Sequence, residues 1–399
     1  MNQLNWDDPL AVAIPASDTT EVPSLVGVDA MLKAGIQPAA LKVEDLGSEL
    51  EEKRESTEEP ALSDASAPIR AEDKRVVNGK ADINQLAPFK YPWAWKYFLN
   101  ANKNHWTPLD VNMTQDVHDY HHKLTPQEQH VYENVLAYLT TSDILAMRNI
   151  GLAVMEKMSA PELQIYQARQ VFEEAMHTWT YQHCIETLGL DQSEIYNRYR
   201  VVPEIHRKIQ LANRRLNDVM TTNIDLTKPD DLESFVMSYI FFAGVFEGSW
   251  FYNGFSPIFA LQRRGLMKGT GEQLQYIMRD EVMHASFGIR VIKQLMIEEE
   301  IKLDPKKLTS MWEESEAAEK AYGEHLLPEP ILGYCAEDHI EQFRFVANRR
   351  AKQMGLAEPF PKAENRLPWL DEQSNLRKEK NFFETRVTEY QTGSALAWD

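Results

Sequence analysis

The segment FEEAMHTWTY, residues 172–181, places Glu174, His177 and Tyr181 three and four positions apart in a stretch that otherwise reads as buried helix. At about 100° per residue, such positions project from one side of an α-helix. Charged groups on a buried face are expensive unless something pairs with them. The pattern recurs in RDEVMHASF, where Glu281 and His284 have the same E-x-x-H spacing. Each copy follows a helix with one isolated acid: Asp143 in AYLTTSDILAMRN, 31 residues before Glu174, and Glu247 in the apolar stretch 239–261, 34 residues before Glu281. An acid helix followed by an E-x-x-H helix, present twice, aims four carboxylates and two imidazoles inward from four helices. That is the ligand set of a dinuclear metal-carboxylate site in an all-α helical bundle.

Charge supports the same reading. Two divalent ions bring four positive charges, which the four carboxylates neutralise. Mostly oxygen ligands with one imidazole per metal suit Fe or Mn, whereas Zn favours more nitrogen or sulfur. A single E-x-x-H arises by chance on surface helices; the repeat, with Glu247 in an apolar helix, does not fit a solvated face. Tyr181 falls four residues after His177 on the same side, with Phe251, Phe255 and Ile277 as apolar neighbours by helical projection. A phenol there is either core packing with a hydrogen bond or a redox partner, and the spacing alone leaves both open.

Composition narrows the class. A formal net charge of -19 argues against nucleic acid or an anionic membrane as the main partner. Two cysteines, Cys184 and Cys335, form no motif and suit a reducing cytoplasm. The start, MNQLNWDDPLAVAIPAS, lacks the basic and apolar regions of a signal peptide. Residues 239–261 are long enough for a membrane span, but Glu247 near the middle points to a core helix instead. The expectation is a soluble cytoplasmic protein with no membrane segment.

Residues 1–75 carry 16 acids and 7 bases with few aromatics, so an acidic, disordered N-terminal extension over about 1–80 is expected. A helical domain follows over 81–370, then a flexible tail over 371–399 ending in RKEKNFFETRVTEYQTGSALAWD. Long helices are expected near 86–103, 125–157, 160–189, 230–262, 271–299, 304–326 and 333–353. Capping-box spacings at Thr125/Glu128, Ser159/Glu162 and Thr270/Gln273 mark three starts. Gly244, Gly248, Gly254 and Pro257 predict a bent or bulged fourth helix. His118, His121 and His122 read as solvated residues of a polar link, and Glu337-Asp338-His339 as an exposed helix start. The glycines of MKGTGEQ lack the lysine and spacing of a phosphate loop.

Together these motifs are similar to those of the small, radical-generating (beta) subunit of class I ribonucleotide reductase, from NQLAPFKYPWAWKYFLNANKNHW (84–106) to the C-terminus. The resemblance implies a ferritin-like homodimer with Asp143, Glu174 and His177 on one ion and Glu247, Glu281 and His284 on the other. It implies that Tyr181 holds the radical within Phe251, Phe255 and Ile277. Trp106 and Asp280, linked to His177, would relay it, and Tyr390, with Glu384 upstream, would carry it in a tail docked on the large subunit. The text around the site also resembles a branch in which some members replace the tyrosine by phenylalanine and use a Mn/Fe pair. Tyr181 and Asp143 favour a tyrosyl radical with two Fe ions per chain, Mn or Mn/Fe being the alternatives. A ferritin-like oxidase or oxygenase, and an iron-storage protein, are the competing readings. Neither requires Trp106, Asp280 and Tyr390 together.

Overall fold

A computed structural model describes residues 70–77, 86–220, 224–331 and 333–370. The acidic extension before residue 70 and the tail bearing Glu384 and Tyr390 lie outside these described residues. Helices account for nearly all of the regular structure. They are α1 (Pro92–Ala101), α2 (Thr114–His122), α3 (Pro126–Asn149), α4 (Pro161–Thr187), α5 (Gln192–Val201) and α6 (Pro203–Met220). Next comes α7, with parts Pro229–Ile240, Phe241–Phe251 and Tyr252–Arg263, then α8 (Lys268–Glu298), α9 (Pro305–Leu326) and α10 (Ala336–Met354). The α3 helix runs on through a π-helical turn, Ile150–Val154, to Lys157.

At the centre, α3 packs on α4, α7 on α8, α4 on α8, and α3 on α7, closing a four-helix core. These four helices carry Asp143, the two E-x-x-H motifs and Glu247. Segment 229–263 meets the length and composition of a membrane span, yet it is largely buried inside the chain's own fold and is a core helix. Its middle part, Phe241–Phe251, is π-helical, which accounts for the bulge expected there. The wider turn leaves a carbonyl for Arg350, whose Nε donates to Gly248 O at 2.8 Å. A Cβ on Gly248 would stand 2.3 Å from Ala243 O, so this turn admits no side chain there. One on Gly288 of α8 would stand 2.4 Å from the Cβ of Ala243, which shows how closely the two helices approach.

Several local expectations are corrected. Thr125 does cap α3, in a capping box with Glu128. Ser159 does not cap α4: its Oγ donates to Arg75 O at 2.9 Å. Glu162, fully buried, instead accepts from the backbone N–H groups of Lys90 (3.1 Å) and Tyr91 (3.0 Å), with buried Lys74 3.7 Å away. This carboxylate binds the backbone just ahead of α1, which begins at Pro92 and not at 86. The start of α8 lies at Lys268, upstream of Thr270. Asp116 of α2 caps it from outside, accepting from Gly269 N (2.8 Å) and from Thr270 N and Oγ1 (2.7 Å each). The histidines of VHDYHHKL are exposed as expected, but on α2 and not in a link. Helices α5 and α6 complete the outer layer and are additions to the expected set.

His339 reverses its expectation. It is fully buried, with Nε2 2.8 Å from Glu319 Oε1 and Nδ1 2.5 Å from the Tyr334 hydroxyl. Asn253 of α7 donates to the same Glu319 oxygen at 2.6 Å. Lys208 of α6 pairs with Glu319 and lies under three rings, Tyr138, Tyr322 and Trp250, at 3.8, 4.5 and 4.8 Å from their centroids. The ammonium is desolvated and compensated by one carboxylate and three ring faces. Burial lowers its pKa to about 8 against the pull of Glu319.

Candidate metal centre

The helical phase set by the sequence delivers all six predicted ligands to one place, and all six are buried. Two sets of donor atoms lie within 4.8 Å of one another: Asp143, Glu174 and His177, and Glu174, Glu247, Glu281 and His284. Glu174 belongs to both. Its Oε2 is 3.6 Å from His177 Nδ1 and its Oε1 3.1 Å from His284 Nδ1. Glu281 mirrors it, with Oε1 3.2 Å from His177 Nδ1 and Oε2 3.6 Å from His284 Nδ1. The simple division into two triads is therefore refined. Two glutamates span the centre, Asp143 and His177 flank one side, and Glu247 and His284 flank the other.

The donor set fits two cations. Among the described residues, both oxygens of Asp143, Glu174 and Glu281, and Nδ1 of both histidines, are buried without a hydrogen-bond partner. Buried acceptors in such density are unfavourable unless cations satisfy them. Burial, then the charge of Glu174, holds the Asp143 carboxyl well above its usual range. Burial acts likewise on Glu247, with His284 opposing it. Burial would raise Glu174 too, but its contacts with His177 and His284 outweigh that and draw it to about 2. Both imidazoles are raised despite burial, through Asp280 behind His177 and Glu173 behind His284.

Each histidine points Nδ1 inward and anchors Nε2 on a carboxylate, which fixes the ring. His177 Nε2 is 3.2 Å from Asp280 Oδ2, and His284 Nε2 is 2.8 Å from Glu173 Oε2. Gln170 also touches the cluster, its amide donating to Glu247 Oε1 (2.9 Å) and Oε2 (3.1 Å).

The family model described as "Ribonucleotide reductase, small chain" matches residues 83–367. The chain belongs to the ribonucleotide reductase small-chain family. A ribonucleoside-diphosphate reductase subunit beta of Chlamydia pneumoniae is 37% identical over 340 residues, covering 83% of this chain and 96% of that one. In fold, the chain is similar to the ribonucleotide reductase R2 subunit from Clostridium botulinum (TM-score 0.68, 22% identity, 75% of this chain and 94% of that one). It also resembles the dimanganese(II)-NrdF of Streptococcus sanguinis (TM-score 0.59, 17% identity, 74% and 98%). The protein is thus a small chain of the enzyme that reduces ribonucleotides to deoxyribonucleotides, built as a ferritin-like bundle around a dinuclear metal site.

The other predicted residues of this small chain fall as follows. Trp106 Nε1 donates to Asp280 Oδ2 at 3.3 Å, the oxygen that also holds His177. Its ring stacks between those of His177 (6.5 Å) and Tyr276 (5.4 Å). Tyr181 is buried, with its hydroxyl beside the Asp143 carboxylate. Burial raises its pKa far above the ordinary value, and the Asp143 charge is the next largest cause. Phe251, Phe255 and Ile277 are fully buried in the same core. Tyr390 lies outside the described residues.

Sequence reasoning missed Glu173, Gln170, Arg169 and Asn104. A signal for Glu173 was present: both motifs read acid-Glu-x-x-His, as EEAMH and DEVMH. The extra acid of each helix supports the histidine of the other.

Proposed function

We propose that Asp143, Glu174, His177, Glu247, Glu281 and His284 ligate the two ions and that Tyr181 is the residue this small chain oxidises to a stable radical. The carrying observation is the cluster of buried, unpartnered donor atoms from four helices with the Tyr181 phenol beside it. With O2, the bound metals supply the oxidising power. Six of the eight inward carboxylate oxygens and both Nδ1 atoms are free to bind cations, while Gln170 steadies Glu247. Tyr181 gives up an electron and its hydroxyl proton, and the Asp143 carboxylate, whose charge acts on the phenol more than any other, is the base assigned to it. The apolar residues around this core exclude water and reductants from the phenoxyl.

The oxidising equivalent would leave by His177, Asp280 and Trp106, a path supported by two hydrogen bonds through one carboxylate oxygen. Tyr390 in the tail would take it on to the large subunit, which the tail docks. A homodimer is supported by large hydrophobics left exposed: Phe172 and Trp179 on α4, Ile144 on α3 and Leu152 on its π-helical extension. The oxygen-rich donor set favours Fe, with Mn or a Mn/Fe pair as the other occupants.

Metal stoichiometry tests the ligand assignment. Metal-free protein should take up two Fe(II) or two Mn(II) per chain, and Glu247→Ala should lose occupancy at one position. Two ions bound with unchanged affinity in that variant would contradict the role of Glu247.

A further inference from the structure

Outside the metal centre, the two histidines are joined by an unbroken hydrogen-bonded chain. From His284 it passes to Glu173 Oε2 at 2.8 Å, and Glu173 Oε1 accepts from Arg169 Nε at 2.8 Å. Arg169 Nη2 reaches the carbonyls of Asn104 (3.2 Å) and Ala101 (3.4 Å). Asn104 Nδ2 donates to Asp280 Oδ1 at 2.5 Å, and Asp280 Oδ2 holds both His177 and Trp106.

The two halves are thus supported differently. Behind His177 stands a carboxylate bonded to two neutral donors, the Asn104 amide and the Trp106 indole. Behind His284 stands a carboxylate paired with a guanidinium. Glu173 is 2% exposed and, like Asp280, adds a buried acid beside the four ligand carboxylates, a charge that a nearby cation offsets. Arg169 is that cation, one helical turn away at i−4, and its planar fork reaches the loop carrying Trp106 at the same time. A lysine at 169 would present one point charge and could not hold both ends in a fixed plane.

We propose that Glu173 and Arg169 are positioning residues that hold the His284 half of the centre in register with the Trp106 loop. Glu173 fixes the ring of His284. Arg169 keeps Glu173 charged and in place and clamps Ala101 and Asn104, so the order of the relay's first residue depends on a side chain that touches neither Trp106 nor a metal ligand. The inference rests on the two-ion reading above.

The test uses full-length metal-free protein, Mn(II) alone as the probe, and amide hydrogen exchange over residues 101–106. Native protein should bind two Mn(II) per chain. Glu173→Gln, which keeps shape and removes charge, should weaken one of them by roughly 10–100-fold and spare the other. Arg169→Met should do the same and also speed exchange in 101–106. Helicity should remain native in both variants, and Arg169→Lys should recover the affinity better than the loop protection. A residue that only supported the fold would lower the melting temperature without splitting the two affinities. Native two-site binding in both Glu173→Gln and Arg169→Met would overturn this proposal while leaving the metal centre standing. Failure of the native chain to bind a pair of ions would overturn both.

Discussion

At the scale of single residues, the centre is a problem of charge density. Four carboxylates and two imidazoles share a volume from which water is excluded, and six of their oxygens find no donor. Asp143, Glu247 and both histidines are shifted toward their protonated forms. Metal must displace those protons. Adding Mn(II) anaerobically to a weakly buffered sample near neutral pH should therefore acidify it. Because the raised groups must lose protons to bind, affinity should rise with pH and fall as the solution is acidified. Loading without proton release would contradict this account. The six ligands were legible because helix geometry fixes which residues share a face at spacings of three and four. Glu173 and Gln170 were less so, since their value lies in which atom of another helix they meet. Arg169 was illegible: an exposed i,i+4 ion pair with Glu173 reads the same on paper.

Among the elements, the π-helical stretch Phe241–Phe251 shows where sequence reading stops. Glycines and Pro257 announced a distortion, but not that Glu247 would sit on a widened turn whose Gly248 carbonyl is answered by Arg350 of α10. Capping was legible where partner and helix are contiguous, as at Thr125. It failed at Thr270, where the capping carboxylate, Asp116, comes from another helix 154 positions away. The buried knot of Lys208, Glu319, His339 and Asn253, which ties α6, α9 and α10 to α7, was hidden for the same reason. Removing one partner of such a pair leaves a buried charge unanswered. Lys208→Met should therefore destabilise the chain by about 3–5 kcal/mol in chemical denaturation. Lys208 and His339 hold Glu319 at about 2 in spite of burial. Its contribution is complete above its unfolded pKa, near 4.5, and is lost as the pH falls toward 2. A change below 1 kcal/mol at pH 7 would show that His339 and Asn253 answer Glu319 without the lysine.

For the whole molecule, the division of labour follows from where each part lies. The bundle holds the metal cluster and Tyr181 in its interior, and Trp106 is only half buried at the edge of α8. Contact with a separate catalytic chain is the role we propose for the tail after residue 370. Deleting residues 381–399 should leave metal content and the radical intact and abolish capture of the large subunit in a pull-down. Undiminished capture would move the docking surface onto the bundle. The packed chain begins before the helices do: Lys74, Val76 and Val77 are buried against it. The acidic extension was read as a solvated segment, and that boundary came from composition, which did not register one lysine aimed at Glu162.

The central claim, that this small chain stores an oxidising equivalent on Tyr181 beside two ions, meets its most direct test in one spectrum. Metal-free protein is loaded with Fe(II), exposed to O2 and frozen for EPR beside Tyr181→Phe carrying the same iron content. The account predicts a tyrosyl signal in the native protein and none in the variant. A tyrosyl signal of equal size in Tyr181→Phe, or native protein that takes up two irons, consumes O2 and forms no tyrosyl radical, would contradict it.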